Sequence, residues 1–448
     1  MGKITTAEIK QLFSHVRGHF DDSLLINEVF TDSRHQVTDG LFVPIIGDNF
    51  DGHDFIIQAI ENGAKFAFWG KKEIDPHIPD DFPLILVEDT IEALQKLASF
   101  YRDKVNPKVI GITGSNGKTT TKELIYEVLK TKYHVTKTIG NLNNHIGLPL
   151  SILKMDLNCE MLVLEMGMNH FGEIERLSQI AKPDIAVITN IGESHIEFLK
   201  SREGIAKAKL EIVSGLNNLG RLIVDGDEPL LNVDLPYEVV TCGFHEANDV
   251  YVYDIKQQLD QTTFYIENQL FTIPLLGEHQ AKNSAFAYAV GRMLDISVSE
   301  INEALKTIQF KLMRFEQIKL NENVTIINDA YNASPTSMIA SINVLKNMPY
   351  KHKVLVLADI LELGTFSETE HKKVGKSIDE QIDAVYTYGS DSKHITDGIS
   401  EHIRIETKHF VDRDKIVSAI KERLKENTVI LFKGSRAMKL EEIIEEIV

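Results

Sequence analysis

The chain has 448 residues, of which 43% are apolar and 25% are charged, and its formal net charge is -18. This composition is typical of a globular protein, and at about 100–200 residues per domain the length predicts several domains. The acidic balance argues against a nucleic-acid-binding protein, which needs an excess of Lys and Arg, and two distant cysteines, Cys159 and Cys242, exclude a disulfide framework and favour a reducing compartment.

The N-terminal segment, MGKITTAEIKQLF, predicts a capped amphipathic helix and lacks the apolar core of a signal peptide. No apolar run in the sequence approaches the roughly 20 residues that span a bilayer. We therefore expect a soluble, cytoplasmic protein without membrane insertion. Residues 1–104 mix short strands with helices and end in a helical run over residues 90–102, which marks the first predicted domain.

The second predicted domain covers residues 105–313 and opens with a short apolar strand, a glycine-rich turn and an amphipathic helix. Strands such as MLVLEMG and DIAVITNIG then alternate with helices such as GEIERLSQIA, a pattern that predicts βαβ units and a parallel sheet. Residues 250–273 are more hairpin-like and precede a long helix. The third predicted domain, residues 314–448, again separates apolar strands by helical runs. We predict an α/β fold with a central P-loop parallel-sheet ATPase domain and a Rossmann-like C-terminal domain.

The strongest motif is Gly-Ile-Thr-Gly-Ser-Asn-Gly-Lys-Thr at residues 111–119. Glycines let backbone amides turn inward toward phosphate oxygens, while Lys118 would reach the terminal phosphates and the Thr119 hydroxyl would bind Mg²⁺. Ile112 stands where the usual pattern has a glycine, and a simple glycine turn is the alternative interpretation. The predicted nucleotide-binding residues of this loop are Gly114, Ser115, Asn116, Gly117, Lys118, Thr119 and Thr120.

Two later strands end in residues suited to metal binding. LVLEMGMNH places Glu165 at the end of one apolar strand, and AVITNIGESHIEF places His195 after another. In parallel sheets, ligands bind beyond the carboxyl ends of the strands, so both side chains would lie near the glycine-rich turn. Each could instead be a solvent-facing loop residue. Two metal ions would suit the formation of an acyl-phosphate. In that reaction a carboxylate approaches a phosphate, and the repulsion between these two anions must be neutralised.

The segments GITGSNGKTTTKE, LEMGMNHFGEIE, TNIGESH and GIAKAKLEI, in this order, resemble the Mur ligase family. The resemblance implies a ligase that joins amino acids to UDP-N-acetylmuramoyl peptides through an acyl-phosphate, using ATP and two Mg²⁺ ions. The catalytic residues that it implies are Lys118, Glu165, His195 and Lys209. The metal ligands that it implies are Thr119, Glu165, His195 and Lys209. Lys209 matches the carbamylated lysine of the family, and Lys207 is the less favoured alternative.

The resemblance extends to the rest of the nucleotide site. LGEHQAKNSAFA matches the family's adenine-contacting helix, where His279 and Asn283 correspond and Gln280 replaces a common Asn. Arg314, at the predicted hinge between the second and third domains, would bind the γ-phosphate. Asp329 would bind the ribose. Each of these residues could also have a purely structural role.

The resemblance also implies substrate-binding residues. In the first domain, TDSRHQVTDGLF is similar to the UDP-binding segment of the family, with Ser33 and Arg34 at the contacting motif. NLNNHIGLP places Asn143 and Asn144 beside the substrate or the phosphates. The first domain is therefore expected to bind the UDP-substrate, and the third domain the incoming dipeptide.

The third domain indicates which reaction is catalysed. It lacks the Asp-Asn-Pro-Arg motif of members that add lysine or diaminopimelate, and DAYNASP, LADILELGTFSETEH and VILFKGSRAMKLEEI resemble members that add D-alanyl-D-alanine to UDP-N-acetylmuramoyl-tripeptide in peptidoglycan synthesis. Ser334 and Ala358 depart from residues frequent there. The alternatives are a related ligase adding lysine or diaminopimelate, and a non-catalytic nucleotide-binding regulatory module. The oligomeric state is left open, with a monomer as one option.

Overall fold

The computed structural model describes residues 4–21, 24–308 and 315–448. The helices of the first domain are α1 (Thr6–Leu12), α2 (Ile56–Glu61) and α3 (Thr90–Val105). Its strands are β1 (Ile4–Thr5), β2 (Val16–Arg17), β3 (Leu25–Ile26), β4 (Glu28–Phe30), β5 (Gly40–Phe42), β6 (Ala64–Trp69) and β7 (Leu84–Leu86). Strands β4 to β7 run parallel, β2 joins β7 in antiparallel orientation, and β1 pairs separately with β3.

Helices α1 and α3 of the first domain begin at residues whose side chains cap their free amides. Thr5 and Glu8 form a capping box at α1, which confirms the helix predicted from the N-terminal segment. The Asp89 carboxylate accepts hydrogen bonds from two amides in the first turn of α3. Helix α3 ends at Asn106, whose left-handed backbone (φ 53°) turns the chain into the central domain.

The central domain alternates strands and helices, as the sequence predicts. Its helices are α4 (Lys118–Leu129), α5 (Gly147–Leu153), α6 (Glu173–Ala181), α7 (Ile196–Leu199), α8 (Arg202–Leu210), α9 (Glu278–Met293) and α10 (Val298–Lys306). Its strands are β8 (Lys108–Thr113), β9 (Val135–Lys137), β10 (Met161–Glu165), β11 (Ile185–Ile188), β12 (Arg221–Asp225), β13 (Glu238–Gly243), β14 (Val250–Tyr251), β15 (Tyr253–Gln257), β16 (Thr262–Ile266) and β17 (Gln269–Ile273).

The central sheet is parallel, with the strand order β14-β13-β12-β11-β8-β10-β9. Strand β8 lies between β10 and β11, so the loops that follow these three strands meet at the same edge. Strands β15, β16 and β17 form a separate antiparallel sheet, which confirms the hairpin-like pattern predicted there. This small sheet packs against the buried face of α9, where Phe264, Phe271 and Tyr288 share one core.

The C-terminal domain is built on a mixed sheet. Its helices are α11 (Pro335–Lys346), α12 (Ser367–Lys376), α13 (Lys393–Gly398), α14 (Arg413–Lys421) and α15 (Leu440–Glu445). Its strands are β18 (Glu316–Lys319), β19 (Val324–Asn328), β20 (His352–Ala358), β21 (Ala384–Tyr388), β22 (Glu406–Phe410) and β23 (Thr428–Lys433). The order is β18-β19-β23-β20-β21-β22, in which the edge strand β18 is antiparallel to β19 and the other pairs are parallel.

The predicted α/β architecture of three domains is confirmed. Hydrophobic side chains of α3 in the first domain and of β10 and α6 in the central domain belong to one continuous core, so these two domains pack together. Within residues 4–21, 24–308 and 315–448, no helix combines the length and the apolar character that crossing a bilayer requires.

Candidate active site

The glycine-rich turn between β8 and α4 depends on two glycines. Gly114 has a φ of 150°, and a Cβ there would lie 1.9 Å from the Thr189 hydroxyl oxygen. Gly117 has a φ of 80° and precedes the first residue of α4. Ile112, the departure from the usual motif, is a fully buried residue of β8, so the turn begins only after it. A glycine is therefore not required at that position.

The segment that follows β11 holds this turn in place. The carbonyl and side-chain oxygens of Asn190 accept hydrogen bonds from the Ser115 amide (3.1 Å) and the Asn116 amide (2.9 Å). The Thr189 hydroxyl donates to the Asn116 carbonyl oxygen at 2.6 Å, and the Gly192 amide donates to Ser115 Oγ at 2.8 Å. The turn is thus braced by a second loop at the same sheet edge, a contribution that the sequence did not reveal.

Lys118 folds back over the mouth of the turn. Its Nζ donates to the carbonyl oxygens of Gly114 (2.7 Å) and Ser115 (3.3 Å). Thr119 is half-buried and Thr120 is buried in the same first turn of α4. An ammonium group and a helix N-terminus therefore converge on one small space, which is the arrangement that binds phosphate groups in proteins.

Glu165 is a buried carboxylate at the end of β10, with only 3% of its surface exposed. Asn143 Nδ2 donates to Oε1 at 2.9 Å, and the Glu165 amide donates to Thr138 Oγ1 at 3.0 Å. The other oxygen, Oε2, is buried and has no hydrogen-bond partner among the described residues. Lys122 Nζ lies 3.6 Å from it. A buried carboxylate oxygen in this state fits a bound cation.

Lys122 is a residue of this site that the sequence did not single out. Its side chain is 1% exposed, and its Nζ lies 3.4 Å from Glu123 Oε1 as well as close to Glu165. The available signal was its spacing, because Lys122 follows Lys118 by four residues and so lies on the same face of α4. That spacing is also common in solvated helices, and only the fold shows that this face is buried.

Lys209 and Lys207 lie on α8 but differ in environment. Lys209 is 2% exposed and makes no hydrogen bond or ion pair among the described residues. Its burial, together with the positive charge of Lys118, holds the pKa of Lys209 well below its ordinary value. Lys207 is exposed to solvent. Lys209 is therefore the buried lysine of α8, and its amine lies near enough to Lys118 for that charge to lower its pKa further.

The loop after β11 also contacts the C-terminal domain. His195 Nδ1 lies 2.5 Å from Glu362 Oε2, and Glu193 is paired with Lys373 at 2.7 Å. The Thr336 hydroxyl donates to the same Glu193 carboxylate at 2.5 Å. Burial opposes ionisation of Glu193, but these two partners lower the pKa of its carboxyl. Two acidic–basic pairs thus hold the two domains together beside the phosphate-binding turn.

A cavity of about 430 Å³ lies where these two domains face each other. Among the residues that line it are Asn141, Glu193, His195, Tyr331, Leu361 and Arg436. At one side of it, the Ser334 hydroxyl donates to Asn116 Oδ1 at 3.0 Å, which connects the start of α11 to the phosphate-binding turn. The cavity therefore adjoins the predicted site of the terminal phosphate.

Asn283, on the first turns of α9, lies directly against the phosphate-binding turn. A Cβ on Gly117 would lie 2.6 Å from Asn283 Oδ1, and the Thr121 hydroxyl donates to that oxygen at 3.4 Å. Asn283 Nδ2 donates to Gln280 Oε1 at 3.0 Å. Gln280, noted above as a departure, therefore orients the Asn283 amide. His279 is exposed on the first turn of the same helix.

Comparisons with known proteins agree along the whole chain. The "Mur ligase middle domain" matches residues 112–291, the "Mur ligase, glutamate ligase domain" matches residues 313–436, and the "Mur ligase family, catalytic domain" matches residues 25–102. The UDP-N-acetylmuramoyl-tripeptide--D-alanyl-D-alanine ligase of Bacillus subtilis (strain 168) is 45% identical over 95% of this chain and 94% of that protein.

The chain belongs to the Mur ligase family. Solved structures support the assignment. The crystal structure of MurF from Acinetobacter baumannii has a TM-score of 0.89 at 30% identity and covers 99% of this chain and 98% of that chain. The structure of MurF ligase from Thermotoga maritima in complex with ADP has a TM-score of 0.84 at 33% identity and covers 95% and 98% of the two chains.

Asp329, the predicted ribose-binding residue of this Mur ligase, lies in the C-terminal domain. Asp329 Oδ2 is 2.7 Å from Lys433 Nζ and accepts a hydrogen bond from the Ser341 hydroxyl at 2.6 Å. The charges of Asp329 and Lys433 both act on His279 across the space between the domains, so the three lie near one another. Arg314 lies outside the described residues.

The predicted substrate residues of this Mur ligase are more dispersed. Ser33 is buried and donates to Gln58 Oε1 at 2.6 Å, whereas the exposed Arg34 pairs with Asp32 and lowers the pKa of that carboxyl to about 2. Asn144 is exposed, and its Oδ1 accepts hydrogen bonds from two backbone amides at the start of α5, as a helix-capping side chain does. Of the four, Asn143 alone contacts another predicted site residue, Glu165, in the described part of the chain.

The metal ligands expected for a Mur ligase do not form a preassembled cluster. Across residues 4–21, 24–308 and 315–448, no three His, Cys, Asp or Glu side chains come together as a metal site. The predicted set has only two such side chains, Glu165 and His195. Metal binding here would need further oxygen ligands, which Thr119, a modified Lys209 and nucleotide phosphates can supply.

Replacing Gly117 with Ala is expected to destabilise the protein and to weaken nucleotide binding. The left-handed backbone costs a non-glycine residue roughly 1–2 kcal/mol, and the new Cβ would also displace Asn283. Gly172→Ala is the matched control, since Gly172 has nearly the same φ (82°) and precedes α6, but no atom lies within 4 Å of its added Cβ. Urea unfolding and nucleotide titration of both variants measure the effect. Equal losses of stability and unchanged nucleotide affinity in both would contradict the prediction.

Proposed function

We propose that this Mur ligase uses ATP to join D-alanyl-D-alanine to UDP-N-acetylmuramoyl-tripeptide in the synthesis of peptidoglycan precursors. The relative from Bacillus subtilis bears that name and matches over nearly its whole length. The observation that carries the proposal is the cavity between the central and C-terminal domains, which His195 and Ser334 line and which the Ser334–Asn116 hydrogen bond connects to the phosphate-binding turn. This arrangement supports the proposal because it leaves room beside the turn for the terminal phosphate of ATP, the carboxylate of the tripeptide and the amine of the dipeptide.

The phosphate-binding turn and its neighbours have distinct proposed roles. Residues Gly114 to Thr120, with the N-terminus of α4 and the Lys118 ammonium, are proposed to hold the triphosphate and to stabilise the charge that develops as its terminal bond breaks. Mg²⁺, when bound, neutralises the repulsion between the acceptor carboxylate and the γ-phosphate. The residues proposed to hold two Mg²⁺ ions are Thr119, Glu165, His195 and the carbamate of Lys209.

The reaction proceeds in two transfers. A carboxylate oxygen of the tripeptide attacks the γ-phosphorus of ATP, so an acyl–phosphate bond forms and the bond to ADP breaks. The free amine of D-alanyl-D-alanine then attacks the acyl carbon, loses a proton, and the tetrahedral intermediate expels phosphate to leave the amide. The cavity beside the turn would hold the substrates close together and keep water from the acyl-phosphate, with the domain contacts of Glu193 and His195 closing it.

Lys209 is proposed to act only after carbamylation. A neutral amine adds to CO₂ and releases a proton, which converts a buried amine into an anionic oxygen ligand. The low pKa of Lys209 favours this step, because it leaves the amine neutral at a lower pH than an ordinary lysine. The carbamate would also place a negative charge near the Lys118 ammonium, whose positive charge opposes protonation of the unmodified amine.

The other predicted residues are proposed to contact either ATP or the UDP-substrate. His279 and Asn283 are proposed for adenine, Asp329 for ribose and Arg314 for the γ-phosphate. Ser33 and Arg34 are proposed for the UDP moiety, with Asn143 holding Glu165 and Asn144 shaping the loop beside it. This function would place the protein in the cytoplasm, where ATP and nucleotide-linked precursors occur together.

D-alanyl-D-alanine is expected to stimulate ADP release in the presence of ATP, Mg²⁺ and UDP-N-acetylmuramoyl-tripeptide, because the second transfer consumes the acyl-phosphate. A coupled assay of ADP release measures this, with lysine, diaminopimelate and glutamate as control amines that should give no stimulation. Stimulation by lysine or diaminopimelate in place of the dipeptide would indicate a related ligase. No turnover with any amine would indicate a non-catalytic regulatory module.

A further inference from the structure

The loop after β20 in the C-terminal domain meets the loop after β11 in the central domain. His195 Nδ1 lies 2.5 Å from Glu362 Oε2, and the Glu197 amide donates to the Glu362 carbonyl oxygen at 3.3 Å. Gly364 packs against the same segment so closely that a Cβ there would lie 2.8 Å from Glu197 Cγ. The two loops therefore fit together through backbone and side chains, over more than a single ion pair.

Both residues of the central contact have an unusual backbone. His195 has a φ of 64° and Glu362 a φ of 61°, a left-handed conformation that non-glycine residues rarely adopt. Such conformations persist where the surrounding structure enforces them, and they concentrate at functional sites. Here the two unusual residues face each other, and one of them is a proposed metal ligand.

We propose that Glu362 is a positioning residue that holds the His195 ring with its Nδ1–H toward the C-terminal domain and its Nε2 lone pair toward the metal. This inference rests on the proposed function. Histidine ligands commonly donate their second ring N–H to a carboxylate, which sets the tautomer and the ring orientation. His195 Nδ1 is buried and has no hydrogen bond among the described residues, and Glu362 Oε2, at 2.5 Å, is the acceptor that the inference assigns to it.

The consequence is that the metal ligand of one domain is oriented by a residue of another. When the C-terminal domain moves away, His195 loses its partner and its Nε2 is no longer directed toward the metal. A different interdomain pair, Glu193 with Lys373, lies in the same interface but does not contact the His195 ring. It therefore provides a control that separates ring positioning from simple attachment of the domains.

The test uses the metal-free, full-length protein labelled with ¹⁵N-histidine, and His195→Gln identifies the resonances of that ring. At a pH where the ring is neutral, the unaltered protein is expected to show the Nδ1–H tautomer at His195. Glu362→Ala is expected to shift the ring toward the Nε2–H tautomer, whereas Glu362→Gln, which keeps an acceptor oxygen, should preserve the Nδ1–H form. Lys373→Met should leave the tautomer unchanged. The thermal unfolding midpoint of each variant shows whether it is folded.

A second measurement tests how strongly activity depends on the Mg²⁺ concentration. In the ADP-release assay, Glu362→Ala is expected to raise the Mg²⁺ concentration for half-maximal activity about tenfold, with a smaller rise in Glu362→Gln. An unchanged tautomer in folded Glu362→Ala, or an equal tautomer shift in Lys373→Met, would overturn the inference. The tautomer is measured without turnover. A protein that shows the expected tautomers but no ligase activity would therefore contradict the proposed function and not the role of Glu362.

Discussion

Lys209→Met is expected to lower the rate of ligation strongly while leaving the fold at least as stable as that of the unaltered protein. Methionine removes the amine that the proposed carbamate requires, so turnover should fall on the order of 10²–10³-fold, as when one charge-stabilising group is lost from an active site. The long apolar side chain fills the same buried space without an unpaired amine. Activity and stability therefore change in opposite directions, which a merely structural lysine would not produce.

The measurements are ADP release and urea unfolding, and Lys207→Met is the matched control. Lys207 lies on the same helix, two residues earlier, but its side chain is exposed, so its replacement should change neither quantity by much. Removing CO₂ and bicarbonate should lower the activity of the unaltered protein and have no effect on Lys209→Met. A fully active Lys209→Met variant, or an inactive Lys207→Met variant, would refute the assignment.

The same lysine predicts a pH dependence of stability. In the unmodified protein the pKa of Lys209 is lower in the folded state than in the unfolded state. Between these two values the unfolded chain binds more protons, so the free energy of unfolding should rise with pH across this window. Lys209→Met should remove that rise, which urea unfolding at several pH values in bicarbonate-free buffer measures.

Lys118→Ala is expected to lower turnover about 10²–10³-fold and to weaken nucleotide binding. The lost ammonium lies in the mouth of the phosphate-binding turn, bonded to two of its carbonyl oxygens. Nucleotide titration calorimetry and ADP release measure the two effects. The replacement should also ease the repulsion on Lys209, whose pKa should move back toward its ordinary value.

The control for this variant is Lys130→Ala, at the other end of α4. Lys130 is more than half exposed and pairs with Glu127 at 2.6 Å on the surface, so its replacement should leave turnover unchanged. Far-UV circular dichroism shows whether both variants keep the fold. Normal turnover in a folded Lys118→Ala variant would contradict the phosphate-binding role of the turn.

The local features of this Mur ligase were predictable from the sequence. Alternating apolar strands and amphipathic helices predicted the parallel sheet, and Gly114 and Gly117 predicted the turn, because their backbone angles are rarely open to other residues. The positions of Glu165 and His195 after β10 and β11, at one edge of a parallel sheet, were predictable as well, while their role as metal ligands stays a prediction. These inferences need only periodicity, backbone chemistry and the order of segments.

The tertiary structure decided what depends on burial and on contacts between distant segments. Lys207 and Lys209 are two lysines of one short segment, and only the packing of α8 buries Lys209 and lowers its pKa while it leaves Lys207 exposed to solvent. Lys122 and Glu362 were not recognised for the same reason, because their partners lie far along the chain or in another domain. Desolvation and ion pairing depend on which residues surround a side chain in three dimensions. Local patterns in a single sequence therefore do not reveal them, although the sequence determines the fold that produces them.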